Sequence, residues 1–151
     1  MFSFFGAFAD RAPNIAEEFA RRWPDVDIVK METPFRGLGV RFQESVYTPE
    51  DEDLPEPVSL AVQDISRQNP TVRFILLRTE CWGGVCGNWG QFIVDGNIAA
   101  EELVVQHPNG EGTLRRLIGH LGVDIGKQER FEALDRRFPW KGSGTNNSEQ
   151  S

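Results

Sequence analysis

Residues 72–96, VRFILLRTECWGGVCGNWGQFIVDG, constrain the fold more than any other part of the chain. Residues 72–79 carry the unbroken apolar run Phe74-Ile75-Leu76-Leu77 between turn-forming neighbours, which predicts an interior strand covered on both sides. A second strand follows from Trp89 to Val94, and Asp95-Gly96 is a two-residue hairpin signal that predicts a further strand from Asn97. Between the first two strands lie both cysteines, Trp82 and the pair Gly83-Gly84, a turn that needs the positive backbone φ open to glycine. This stretch commits the chain to antiparallel pairing.

The flanking segments add helices. Pro13 suits a first helical turn, Ile15, Phe19 and Trp23 recur at four-residue spacing, and Pro24 stops the run. The phenylalanines before them are expected to pack onto this helix. Residues 26–31 alternate apolar and charged side chains, and Leu38, Val40 and Phe42 share one face of the next strand, a hairpin across Pro34 and Gly37. Pro57 opens a helix with Val58, Ala61, Val62 and Ile65 on its apolar stripe, ended by Asn69-Pro70. Residues 99–105 carry mixed signals, with a lean to strand at 103–106. Thr113 can cap a helix bearing Leu114, Leu117, Ile118 and Leu121, closed by Gly122. Residues 128–137 read as a last helix with Phe131 and Leu134 inward. The expected architecture is one α+β domain over 1–141, with about five mainly antiparallel strands and about four helices mostly on one face. Residues 142–151, GSGTNNSEQS, read as a flexible tail.

Charge narrows the function classes. The formal net charge of −7 repels phosphate backbones and anionic membranes, so nucleic acid and membrane are not the expected partners. The apolar N-terminus lacks a basic leader and is interrupted by Asp10 and Arg11, and no run has the length of a membrane span. The expected location is the cytoplasm, where the thiols stay reduced. Glu44, Glu50, Asp51, Glu52, Asp53 and Glu56 form an acidic stretch with prolines at 49, 55 and 57 and no basic residue. Such a stretch must lie in water and suits a basic protein partner.

Chemistry-bearing patterns are sparse. Cys81 and Cys86 flank the Gly-Gly turn and could face each other across a hairpin, bridging in oxidising surroundings and staying reduced in the cytosol. They are too far apart for a Cys-x-x-Cys redox motif, and with His107 and His120 they match no standard zinc spacing. No cofactor or metal is expected, and two small hydrophobic thiols is the favoured reading. A cysteine-dependent enzyme pairing Cys81 or Cys86 with a histidine, or a small structural zinc protein, stand as alternatives. Gly83-Gly84 belongs to no phosphate-loop pattern. Glu80 and Asp95 could pair for acid–base work, against a favoured reading as surface charges at strand ends. Trp82, at the turn, is packed in the core or offered to a partner.

The segment Arg78-Thr79-Glu80-Cys81-Trp82-Gly83-Gly84-Val85-Cys86, followed by Phe92-Ile93-Val94-Asp95-Gly96, resembles a pattern in small bacterial proteins. There an apolar strand ends in Glu, an aromatic residue, Gly-Gly and a small residue, and a second strand ends in Gly. The resemblance is to immunity proteins of polymorphic-toxin and contact-dependent competition systems. It implies a small, acidic, cytoplasmic, non-enzymatic protein that protects its producer by binding a cognate toxin. Glu44, Glu50, Asp51, Glu52, Asp53, Glu56, Glu80 and Trp82 are the candidate partner-binding residues, and Gly83, Gly84, Asp95 and Gly96 the structural turns.

Overall fold

The N-terminal apolar run is the strand at the heart of the sheet in the computed structural model of the chain. The structure describes residues 2–43, 46, 54–82, 85–103, 112–135 and 137–140, with backbone alone at Phe2, Trp82 and Val85. β1 (Phe2–Asp10) is followed by α1 (Ile15–Arg22), β2 (Asp27–Met31), β3 (Gly37–Arg41), α2 (Glu56–Gln68), β4 (Phe74–Trp82), β5 (Val85–Val94), β6 (Asn97–Glu102) and α3 (Thr113–Gly119). The six strands form one sheet in the order β2-β3-β1-β4-β5-β6, and every pairing is antiparallel.

The α+β class with a mainly antiparallel sheet therefore stands, but the count differs: six strands and three α-helices among the described residues. The extra strand is β1. Its side chains alternate between two apolar environments rather than between core and water, so the period-2 signal that marks a half-buried strand is missing. Phe5, Ala7 and Ala9 face one way, with Leu76 and Phe74 of β4; Phe4 and Phe8 face the other, with Leu77 and Ile75. The missing helix is 128–137. Among the described residues there, only Glu132–Leu134 makes a helical turn, a single 3-10 one. Glu129 has φ 51 and Phe131 is extended, because the Phe131 ring is drawn edge-on to Phe8, with centroids 4.8 Å apart. Trp140 Nε1 donates to the Ala133 carbonyl at 2.9 Å and pins the segment from its far end.

The helices are not gathered on one face. α1 and α2 bury Ile15, Phe19, Val58, Val62 and Ile65 against one side, while α3, Phe131 and Trp140 cover the other with Leu114, Leu117 and Ile118. A central strand with apolar residues on both faces requires both to be covered. In α1, Glu17 and Glu18 occupy the first turn and Arg21 and Arg22 the last, matching the helix dipole. Pro57 sits in the first turn of α2, and the Asn69 side chain donates to the Ile65 carbonyl at its end. Thr113 is not the cap of α3. Gly112 precedes the helix with φ 72, and Thr113 is buried inside the first turn. The strand lean at 103–106 is displaced: β6 ends at Glu102, Leu103 is outside it, and 104–106 lie outside the described residues. Residues 142–151 lie outside them too.

An ion pair clips the central strands together. Asp10 Oδ2 accepts from the Arg73 backbone N–H at 2.8 Å and from Nε at 2.9 Å, and Oδ1 accepts from Nη2 at 2.8 Å. Burial raises the Asp10 carboxyl, and the Arg73 hydrogen bonds and charge outweigh it, holding the group below its ordinary 3.8. A carboxyl depressed in the folded state adds stability above its unfolded value, and that contribution disappears as pH falls through the folded value. Replacing Asp10 with Asn should lower the urea midpoint above the ordinary carboxylate range, and the gap to the parent should narrow as pH falls below that range. A gap independent of pH would refute the clip.

Candidate functional site

The β4–β5 hairpin pairs Thr79 with Asn88, Cys81 with Cys86 and Trp82 with Val85. That register decides the cysteine chemistry. Directly opposed residues on an antiparallel ladder bring their Cβ atoms within bonding reach of a disulfide. Cys81 and Cys86 are joined, with S–S 2.03 Å and Cα atoms 4.0 Å apart. The expectation of reduced thiols is thus corrected, because a five-residue separation that fits no redox or zinc motif fits a cross-strand pair. Protein purified without reductant should resist alkylation and weigh two hydrogens less than its sequence. Removing the bond through Cys81→Ser with Cys86→Ser should cost about 2 kcal/mol, the loop-closure entropy of so short a ring. Two alkyl adducts on native protein would refute the pairing.

The disulfide forms one wall of a cleft of about 620 Å³. Its floor is the buried pair Thr79 and Asn88, whose side chains share a 2.7 Å hydrogen bond. Leu114 and Phe131 supply apolar wall, and Glu129, Glu132, Asp135 and Arg130 supply charge. Hydrogen bonds to other segments position two of these acids. Glu129 Oε1 accepts from the Arg115 backbone N–H at 3.0 Å and Glu132 Oε2 from Thr33 Oγ1 at 3.3 Å. The Arg137 backbone N–H, then its side chain, hold the exposed Asp135 carboxyl below its usual range.

A second concavity, about 470 Å³, lies between α2 and β6. Ser59 Oγ donates to Gln91 Oε1 at 2.6 Å, and Gln91 Nε2 donates to Glu101 Oε2 at 3.2 Å. Leu54, Leu60, Ile98 and Leu103 give it apolar walls, with Glu56 and Glu101 as its charged residues. The sequence carries one faint signal of this groove, which its helix and strand periodicities do not reveal. Leu60 is an apolar residue off the stripe made by Val58, Ala61, Val62 and Ile65.

The structure separates several sequence candidates. Glu80 is not a surface charge: it is 8% exposed, accepts from Ser3 Oγ at 2.6 Å and lies 3.4 Å from Arg78 Nε. It is paired through the sheet with Gly87, whereas Asp95 follows Val94 at the other end of the same ladder, so the two acids do not meet. Asp95 and Gly96 form the expected turn, with φ 53 and 76, and Gly96 N–H donates to Ser66 Oγ of α2. His120 is exposed and stacks on Phe92, with ring centroids 4.4 Å apart, towards the end of β5 remote from Cys86. Among the described residues no group of three or more His, Cys, Asp or Glu side chains could hold a metal ion. Trp82 ends β4, and its side chain lies outside what is described, as do Glu44, Glu50, Asp51, Glu52, Asp53, Gly83, Gly84 and His107. Glu56 begins α2 and is exposed. No helix is long and apolar enough to cross a membrane among the described residues. Neither a family model, nor a curated protein, nor a solved structure matches this chain.

Proposed function

We propose that the chain is a non-catalytic module that binds a basic protein, in its sharpest form an immunity protein that neutralises a cognate toxin. The observation that carries this reading is where the acidic excess sits. Among the described residues, three acids to one base line the disulfide cleft, and two acids with no base line the α2–β6 groove. Concave surfaces of one sign focus the field and speed capture of an oppositely charged partner. The acidic stretch from Glu44 to Glu56 adds four consecutive acids, Glu50 to Asp53, just before that groove in the chain. The bonded sulfurs of Cys81 and Cys86 leave the cysteine-enzyme and zinc alternatives without a supporting observation.

The location that goes with this reading is the cytoplasm, while the Cys81–Cys86 bond that the structure holds favours oxidising surroundings, where it persists. Binding does not depend on that choice, since the acids lie outside the bond. The test is co-expression with the product of the neighbouring gene. Growth arrested by that product alone should recover when this chain is present, and the two should co-purify. A harmless product, or arrest that persists unchanged, removes the immunity reading.

A further inference from the structure

The large apolar side chains that stand out in water among the described residues, Leu60 (56% exposed) and Ile98 (38%), converge on one groove. They come from different elements, α2 and β6, so neither helix periodicity nor strand alternation alone brings them together. Ile98 opposes Ile93 in the β5–β6 register, and Glu101 opposes Gln91, which places both on the α2 side of the sheet. The polar floor is satisfied from within: Gln63 Nε2 donates to Ser59 Oγ at 3.2 Å, and Ser59 and Gln91 complete the chain to Glu101. An occupant therefore gains little by hydrogen bonding to the floor and most by covering the two apolar side chains. Among the described residues β6 is also the edge of the sheet, with β5 its strand neighbour, and an edge strand is a template for an extended segment.

Charge selects the occupant. Glu56 and Glu101 line the groove, and among the described residues no lysine or arginine does. We infer that this groove, rather than the disulfide cleft, docks an extended basic segment of the partner protein. Its apolar side chain seats between Leu60 and Ile98, and a lysine or arginine two positions along, on the same face of the extended segment, lies beside Glu101. This rests on the protein-binding reading above and names the surface that carries it.

The full chain should be titrated with a short peptide in which serine alternates with valine and lysine (Val-Ser-Lys-Ser repeated), so that valine and lysine share one face of the extended segment, followed by amide chemical shifts. Controls are a peptide of the same composition in two blocks, and one with glutamate for lysine. The alternating peptide should bind best, with shifts centred on Leu60, Ile98 and Glu101. Ile98→Lys and Leu60→Lys should each weaken it about tenfold or more, the loss expected of an interface anchor, with unchanged melting temperature. Glu17→Gln, an exposed acid of α1 outside both concavities, should leave it unaffected. No binding, equal binding of the block peptide, or equal binding by Ile98→Lys would overturn the groove. Its failure is separable from that of the immunity reading. A toxin neutralised equally by the parent and by Ile98→Lys removes the groove alone. A groove that binds the peptide in a chain that rescues no growth removes immunity alone.

Discussion

Arg78→Ala should lower the unfolding free energy by about 3–5 kcal/mol, the range for breaking a buried ion pair from one side. Arg78 is 1% exposed and stands on β4 between Phe5 of β1 and Trp89 of β5 in the sheet register. Its Nε lies 3.4 Å from Glu80 Oε2, and Ser3 Oγ donates to the other oxygen of the same carboxylate. Removing the guanidinium takes the positive charge away from the buried Glu80 carboxylate, and opens a void where the largest fully buried side chain was. Both effects act in the same direction. The paired replacement Arg78→Met with Glu80→Gln separates them. It keeps volume and removes both charges, so it should cost markedly less than Arg78→Ala alone. Urea titrations with unchanged slope provide the measurement. A loss below about 1 kcal/mol for Arg78→Ala would show that the pair contributes little.

The second large effect is one methyl group placed at two glycines. Gly6 sits in the middle of β1, paired with Arg41 on one side and Leu77 on the other. A Cβ there would run into the Val40 carbonyl oxygen and the Phe4 ring. The ring can turn, but the carbonyl belongs to the neighbouring strand and cannot retreat without opening the ladder. Gly6→Ala should therefore destabilise by about 3 kcal/mol, the upper range of core overpacking. Gly119→Ala is the control. That position ends α3, is exposed, and has nothing within 4 Å of where the methyl would stand. There the change should be neutral or stabilising by up to about 1 kcal/mol, from helix propensity. Equal thermal midpoints for the two variants would mean that β1 does not lie between β3 and β4.

That second contrast also marks where local sequence signals stop. FSFFGAFAD has no alternation of apolar and polar residues and contains Gly and two Ala, all poor markers of a strand. What makes it one is pairing with residues 37–41 and 74–81, partners supplied by distant parts of the chain. The 128–137 segment shows the converse. Phe131 and Leu134 carry a helical spacing, but burying Phe131 against Phe8 stabilises more than continuing a helix would, and the backbone follows the ring. Glu80 shows it for charge: an acid at a strand end is usually solvated, and only the register with Ser3 and the proximity of Arg78 take it inside.

By itself the sequence determined the elements whose signals are local. The spacing of Ile15 and Phe19, and of Val58, Val62 and Ile65, made α1 and α2; the run 74–77 made an interior strand; Asp95-Gly96 made the β5–β6 turn, because those two positions must hold positive φ. Tertiary structure alone decided that β1 is central, which helices cover which face of the sheet, that the Cys81 and Cys86 sulfurs are bonded, and that Leu60 and Ile98 share a groove. The physical reason is the range of the forces involved. Turn chemistry and helix periodicity act over a few residues and are written in order along the chain, whereas strand pairing and side-chain burial join residues whose separation in sequence carries no mark of their meeting.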